Sequence, residues 1–128
     1  MKRIVLAVVS LAILLVFCGC SSVEVANMES GTARFTYEDQ KIEVPLSTAD
    51  FKIVVDLFNG KKLYFDDPSC SFSESIAVLI GDQTFCIARD ECGIIYLQEE
   101  NAYFNLTDEE NTRLRALLND YGFIFPCI

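Results

Sequence analysis

Four cysteines in the second half of the chain are the residues whose chemistry is easiest to define. They remain when a pair near the N-terminus is set aside, and they are Cys70, Cys86, Cys92 and Cys127. An even number of cysteines in a short exported domain points first to disulfides, which stabilise a small core. Of the three possible pairings, the short intervening loop favours Cys86 with Cys92. That choice leaves Cys70 with Cys127, a bond that would hold the C-terminus in place.

A redox or metal site is the alternative use of these cysteines. Five residues separate Cys86 from Cys92, whereas thioredoxin-like motifs place two residues between their cysteines. A zinc site would need four soft ligands, and the chain contains no histidine to share that role. Oxygen ligands for calcium occur in two groups that match no defined loop spacing, namely Asp66, Asp67 and Ser69, and Asp82 with Asp90. We therefore predict structural disulfides and no metal or cofactor.

Catalytic motifs are absent from the sequence. Without histidine, the chain lacks the commonest general base and the usual partner of a serine or cysteine nucleophile. Paired carboxylates can hydrolyse glycosides, but Glu99 and Glu100 lie in a predicted turn. Residues 108–110 lie in the first turn of a predicted helix, where acidic side chains complement the helix dipole. We predict no catalytic residue; the alternative is an exported enzyme, either a thiol oxidoreductase or a carboxylate-based hydrolase.

The N-terminal segment has the layout of an export signal. Lys2 and Arg3 precede an apolar stretch at residues 4–17, which is followed by small residues. As a helix this stretch would rise roughly 21 Å, less than the ~30 Å hydrocarbon core that a transmembrane span crosses. Cleavage is therefore favoured over an uncleaved membrane anchor. In both cases the positive charges stay in the cytoplasm, so the rest of the chain lies outside.

The residues that follow the apolar stretch indicate how the export signal ends. Phe17-Cys18-Gly19-Cys20, followed by Ser21-Ser22, resembles the lipobox of bacterial lipoproteins, in which a small residue precedes a cysteine that receives diacylglycerol before cleavage. Gly19 and Cys20 match that pattern, whereas Phe17 and Cys18 stand where leucine and alanine or serine are usual. The resemblance implies lipidation of Cys20 and attachment to the extracytoplasmic face of the cell membrane. It covers only the first twenty or so residues and implies no activity.

The predicted mature chain is strongly acidic. The whole chain has 10 basic and 19 acidic residues, and removal of Lys2 and Arg3 leaves 8 against 19, a formal charge of −11. This charge argues against nucleic acid as a partner and against adhesion to anionic lipid headgroups. A basic protein or a cation would be attracted, although an acidic surface also keeps an exported domain soluble.

The mature chain is long enough for a single small domain. We assign residues 1–19 to the signal peptide, 20–32 to a lipid anchor and flexible tether, and 33–128 to one α+β domain. The tether assignment depends on small polar residues without an apolar period. Short strands are predicted at residues 34–37, 42–44, 63–65, 75–80 and 84–88, and around Tyr96 and Tyr103.

Residues 51–58 fit either a helix or a strand. Ser47 with Asp50 resembles a helix capping box, but the segment contains β-branched residues, and Asn59-Gly60 is also a hairpin signal. A shift of 60 residues aligns Ser47 with Thr107 and the apolar pattern around them, and a helix is clearly indicated after Thr107. We therefore predict a helix in both places.

These patterns together predict an α+β fold, an antiparallel sheet with two helices packed on one face that reads as two strand-strand-helix pseudo-repeats. Large aromatic side chains are expected to fill the core: Tyr64, Phe65, Phe72, Phe85, Tyr96, Tyr103, Phe104, Phe123 and Phe125. An exposed tyrosine at Tyr96 or Tyr103 would suit a protein contact. The predicted function is a membrane-tethered, noncatalytic module that binds an unidentified protein, peptide or small molecule.

Overall fold

The described part of the chain forms six strands and two α-helices. The computed structural model describes residues 21–68, 70, 72, 75–88 and 92–123. The strands are β1 (Thr32–Tyr37), β2 (Gln40–Pro45), β3 (Ile76–Ile80), β4 (Gln83–Ile87), β5 (Ile94–Leu97) and β6 (Ala102–Asn105). The helices are α1 (Thr48–Phe58) and α2 (Asp108–Asn119), and a 3-10 turn (Gln98–Glu100) joins β5 to β6.

The strands form one sheet in the order β2-β1-β3-β4-β5-β6, and every neighbouring pair is antiparallel. Both helices contribute buried residues to the core on one face of this sheet. On α1, the ring of Phe58 lies 5.0 Å from that of Phe85 and 5.3 Å from that of Phe104. The predicted α+β arrangement is confirmed.

The helix-covered face of the sheet is apolar because every second residue of each central strand points toward it. Ala33 pairs with Val78, and Val78 pairs in turn with Phe85. The same row continues through Leu97 and Ala102. All five are fully buried. Because paired residues of neighbouring strands point to the same side, this row forms the floor on which both helices pack.

Helix α1 answers the question that the sequence left open at residues 51–58. Ser47 accepts a hydrogen bond from the Asp50 N–H at 3.1 Å, and the helix ends at Asn59, just before Gly60, which has a φ of 79°. Its buried side chains recur at helical spacing: Phe51, Val54, Leu57 and Phe58. Burial of this stripe outweighs the weak helix propensity of the β-branched residues beside it.

Helix α2 begins with the capping box that the sequence predicts. The Glu110 N–H donates to Thr107 Oγ1 at 3.2 Å, and the Thr107 N–H donates to Glu110 Oε1 at 2.9 Å. Glu110 also accepts from Lys61 Nζ at 2.6 Å. This ion pair ties the start of α2 to the segment that follows α1.

The two strand-strand-helix units are real, but the 60-residue alignment fits only their later parts. Val44 and Phe104 occupy equivalent places, since they pair with Ala33 and Ile95 respectively. The offset of the first strands is therefore 62 and not 60. The cause lies in the turns: Tyr37 pairs with Gln40 across two residues, whereas Leu97 pairs with Ala102 across four.

The segment assigned to a flexible tether is part of the folded domain, and that prediction is wrong from Ser21 onward. The Val23 N–H donates to the Lys61 carbonyl at 2.9 Å, and the Leu63 N–H donates to the Ser21 carbonyl at 3.0 Å. Val23 and Val25 are buried in the core. Two apolar side chains at alternate positions suffice to attach the segment, because one face of even a short strand can be buried.

A test of this assignment compares neighbouring substitutions in the N-terminal segment. Val23→Ala and Val25→Ala should each lower the free energy of unfolding by about 2 kcal/mol, from ~0.8 kcal/mol per buried methyl plus the cavity left behind. Glu24→Ala, at the exposed position between them, serves as the control and should change it by less than about 0.5 kcal/mol. Chemical denaturation measures all three. If all three variants had the same free energy of unfolding, the N-terminal segment would be a flexible tether after all.

Candidate functional site

Four aromatic side chains gather on the face of the sheet that the helices do not cover. We call Tyr64, Phe72, Tyr96 and Tyr103 the aromatic cluster. Tyr96 of β5 pairs directly with Tyr103 of β6, and an isolated bridge pairs Tyr64 with Tyr103. These residues alternate with the buried ones of the helix-covered face, so their rings project to the opposite side. Register alone thus assembles three tyrosines from three separate segments.

The rings of the aromatic cluster are in mutual contact. The Tyr96 and Tyr103 ring centroids lie 5.0 Å apart, and the Tyr64 and Tyr103 centroids lie 5.9 Å apart in a stacked arrangement. Phe72 completes the cluster at 5.5 Å from Tyr103 and 5.8 Å from Tyr96. Tyr103 is buried at the centre, whereas the other three rings are partly exposed. The four rings together form a rigid, mostly apolar platform, and the outer edges of the three partly buried rings are exposed.

Each tyrosine hydroxyl of the aromatic cluster donates to a side-chain oxygen. Tyr64 donates to Asn105 at 2.6 Å, and Tyr96 donates to Asn101 at 2.8 Å. The Tyr103 hydroxyl donates to Asp67 Oδ1 at 2.6 Å. These bonds fix the ring orientations and leave polar groups at the rim of the platform. A partner would therefore meet aromatic surface beside amide and carboxylate oxygens.

The bond to Asp67 changes the ionisation of Tyr103. The hydrogen bond to the Asp67 carboxylate is the main cause, and burial and the negative charge of Asp67 act in the same direction. Together they raise the pKa of Tyr103 from 10.0 to about 12. Burial also raises the pKa of Tyr64. Both hydroxyls therefore stay protonated at neutral pH and can donate hydrogen bonds.

A disulfide holds the loop that carries Phe72 and Asp67. It joins Cys70 to Cys92, whose Cα atoms lie 6.5 Å apart. The separation of 22 residues corresponds to a stabilisation of about 3 kcal/mol in the chain-entropy model. Phe72 follows Cys70 by two residues, so this bond restrains the segment that contributes the ring. The disulfide is therefore part of the construction of the aromatic cluster.

The observed bond corrects the predicted cysteine pairing. Cys92 bonds to Cys70 and not to Cys86, and Cys70 consequently does not bond to Cys127, which lies outside the described residues. The Cys86 thiol is buried on β4, opposite Tyr96, and so lies on the side of the sheet that carries the aromatic cluster. The short loop between Cys86 and Cys92 suggested a pair, but the sheet holds Cys86 within a strand. The disulfide between Cys86 and Cys92 that a thiol oxidoreductase would form is therefore not present in this structure.

Two of the carboxylates considered for acid-base chemistry, Glu99 and Glu110, have structural partners. Partial burial would raise the pKa of Glu99, but hydrogen bonds from Thr84 and the charge of Arg34 outweigh it and lower that pKa. Partial burial would likewise raise the pKa of Glu110, but hydrogen bonds from Lys61 and Thr107 outweigh this effect and lower that pKa. Both groups are ionised at neutral pH. Such carboxylates are poor proton donors in that range.

The acidic groups considered for calcium are dispersed in the structure. Asp67 binds the Tyr103 hydroxyl, Asp82 lies in the exposed turn between β3 and β4, and Ser69 and Asp90 fall outside the described residues. Among the residues that the structure describes, no group of three or more His, Cys, Asp or Glu side chains is placed to hold a metal ion.

The predicted aromatic core divides into two populations. Phe85, Phe104 and Phe123 are buried between the sheet and the helices, whereas Tyr64, Phe72, Tyr96 and Tyr103 form the aromatic cluster on the other side. Phe65 is exposed, and Phe125 lies outside the described residues. The alternation Ile95-Tyr96-Leu97 and Ala102-Tyr103-Phe104 could have separated the populations, because neighbouring strand residues face opposite sides.

The predicted lipidation site, Cys20, also lies outside the described residues, immediately before Ser21. Within the described ranges, the helices are too short or too polar to span a membrane. Comparison of the chain with protein-family models, with curated proteins and with solved structures gives no match in any of the three.

The raised pKa of Tyr103 predicts a distinct alkaline titration. The neutral hydroxyl is favoured in the folded state, so this group contributes stability that is fully present below pH 10 and is lost as the pH rises toward about 12. Absorbance of tyrosinate should therefore show a late component that disappears in Tyr103→Phe. Asp67→Asn should move this component to lower pH. An unchanged late component in both variants would mean that Tyr103 does not titrate in this way.

Proposed function

We propose that this protein is a noncatalytic binding module, held on the extracytoplasmic face of a membrane by a lipid on Cys20, whose aromatic cluster contacts a basic segment of a partner protein. The aromatic cluster carries the binding half of the proposal. The Gly19-Cys20 sequence after the apolar stretch carries the anchoring half.

The aromatic cluster has the properties of a protein-contact surface. Tyrosine offers a large amphipathic area and has few rotatable bonds, so ordering it costs little entropy. In this protein the hydrogen bonds to Asn105, Asn101 and Asp67 have already restricted the three tyrosines. A partner that packs on the cluster would therefore order few additional side chains.

Charge favours a basic partner at this surface. Asp66 and Asp67 lie beside Tyr64, and Glu99 and Glu100 lie in the turn that joins the strands of Tyr96 and Tyr103. Guanidinium groups stack on tyrosine rings through cation-π attraction, and nearby carboxylates can accept their N–H groups. The formal charge of −9 on the whole chain also speeds the approach of a basic partner.

The anchoring half of the proposal is compatible with the hydrogen bonds that the described N-terminal segment makes. Ser21 is the residue that would follow a lipidated Cys20, and its carbonyl already accepts a hydrogen bond from the Leu63 N–H. Processing before Cys20 would therefore remove the apolar stretch and leave intact the segment that contains Val23 and Val25.

Binding can be tested with short peptides and tyrosine fluorescence, because the chain contains no tryptophan. Titration with hexa-arginine should give a saturable change in fluorescence, and hexa-glutamate should give none. Tyr96→Ala should weaken hexa-arginine binding about fivefold to tenfold, from ~1 kcal/mol for a cation-π contact. Tyr37→Ala is the matched control, because Tyr37 is 67% exposed at the tip of the β1-β2 hairpin.

Two results would contradict the assignment of this surface. Equal affinities of the Tyr96→Ala and Tyr37→Ala variants would show that the aromatic cluster does not contribute. Equal binding of the acidic and basic peptides would show that charge does not select the partner.

Lipidation can be tested by mass spectrometry of protein extracted from membranes. The mature N-terminus should be Cys20 carrying acyl chains, because Gly19 and Cys20 match the lipobox. Cys20→Ala should release or mislocalise the domain, since acyl chains supply about 0.8 kcal/mol of membrane affinity per buried methylene. Recovery of an intact Met1 from the wild-type protein would defeat this half of the proposal.

A further inference from the structure

The described N-terminal segment lies at the edge of the sheet. Ser22 forms an antiparallel bridge with Lys62, and Tyr64 forms one with Tyr103 of β6. The segment therefore flanks residues 61–63, which in turn flank β6. Because the pairing is antiparallel, Ser21 is the end of the described segment that lies nearest to Tyr64 and Phe65.

Ser21, the first described residue, lies close to Phe65, and the proposed lipid is attached to the residue that precedes Ser21 in the chain. Consecutive Cα atoms are about 3.8 Å apart, and paired strands are about 4.8 Å apart. Ser21 is hydrogen-bonded to Leu63, and Phe65 follows Leu63 by two residues. The Cα atoms of Ser21 and Phe65 are therefore within roughly 12 Å of each other.

Two of the exposed large apolar side chains lie at this end of the sheet. Phe65 is 64% exposed, and Met28 is 39% exposed. Residue 65 continues from the Tyr64-Tyr103 bridge toward the 3-10 turn, and the Met28 side chain lies against Gly81. The strand register places the Gly81 turn and the 3-10 turn at the same end of the sheet.

We infer that Phe65 and Met28 enter the lipid bilayer beside the acyl chains of Cys20 and so fix the orientation of the domain on the membrane. The inference rests on the proposed lipid anchor, since it takes the position of the membrane from the attachment point. Strand spacing separates the two side chains by roughly 15–20 Å, which is the width of three to four strands. Two apolar contacts and one anchor restrict the tilt of the domain.

The contact is apolar and not electrostatic. Several exposed carboxylates lie at the same end of the sheet, namely Asp66, Asp82, Glu99 and Glu100. Apolar side chains can enter the boundary between headgroups and acyl chains while neighbouring charges stay in the hydrated layer. Anionic lipid repels those carboxylates. The contact should therefore be stronger on phosphatidylcholine than on bilayers that contain phosphatidylglycerol.

Because the chain contains no tryptophan, the fluorescence of a single introduced tryptophan reports on its own position alone. We would place one tryptophan in the lipidated mature protein by Phe65→Trp, Met28→Trp or Tyr37→Trp, and reconstitute each into phosphatidylcholine vesicles with brominated acyl chains. Tyr37→Trp is the control, because Tyr37 is exposed at the opposite end of the sheet. Mass spectrometry of the same samples establishes whether Cys20 is acylated.

The expected result is a shift of emission to shorter wavelength and quenching by the brominated lipid for Phe65→Trp and Met28→Trp, with neither change for Tyr37→Trp. Phosphatidylglycerol should reduce the quenching. If Cys20 is acylated but Phe65→Trp and Met28→Trp behave like the control, the membrane contact is wrong while the lipid anchor stands. If Cys20 carries no acyl chain, both the anchor and the contact are wrong.

Discussion

The pairing of Tyr96 with Tyr103 is the constraint on which both faces of the sheet depend. A slip of β6 by one residue against β5 would turn Ala102 and Phe104 away from the helices. The core residues of these strands therefore fix the register, and the register in turn assembles the aromatic cluster. Burial of the helix-covered face fixes the strand register, and the same register places the aromatic cluster on the opposite face. The candidate binding surface therefore requires no separate folding signal.

Much of the fold follows from local sequence patterns. The caps at Ser47 and Thr107 and the apolar stripes behind them predict both helices, and alternation predicts the strands. Helix α1 needed more than local pattern, because its β-branched residues also suit a strand. Packing of Phe51 and Phe58 on the sheet favours the helix over a strand. The repeat alignment failed at the first strands because turn length is a local property that the apolar pattern does not record.

The candidate site was less predictable, because its parts are close in space and distant in sequence. Tyr96 and Tyr103 were identified beside one turn, but Tyr64 joins them through a bridge that no local pattern indicates. The predicted disulfide between Cys86 and Cys92 is wrong for the same reason. Loop length favoured Cys86 with Cys92, whereas the bond that forms depends on the path of the loop at Cys70. The folded N-terminal segment was not predicted because Val23 and Val25 give only two apolar positions, fewer than an alternation argument needs.

The position of the aromatic cluster also restricts where a partner can be found. Tyr64 lies on the strand that pairs with the N-terminal segment, and Tyr103 and Tyr96 lie one and two strands further along. At about 4.8 Å per strand, all three lie within roughly 15 Å of that segment across the sheet. With the proposed lipid on Cys20, the domain has no flexible tether to lift the cluster away from the bilayer. A partner must then reach the cluster close to the membrane, so a basic segment next to a membrane anchor of its own fits better than a freely diffusing protein.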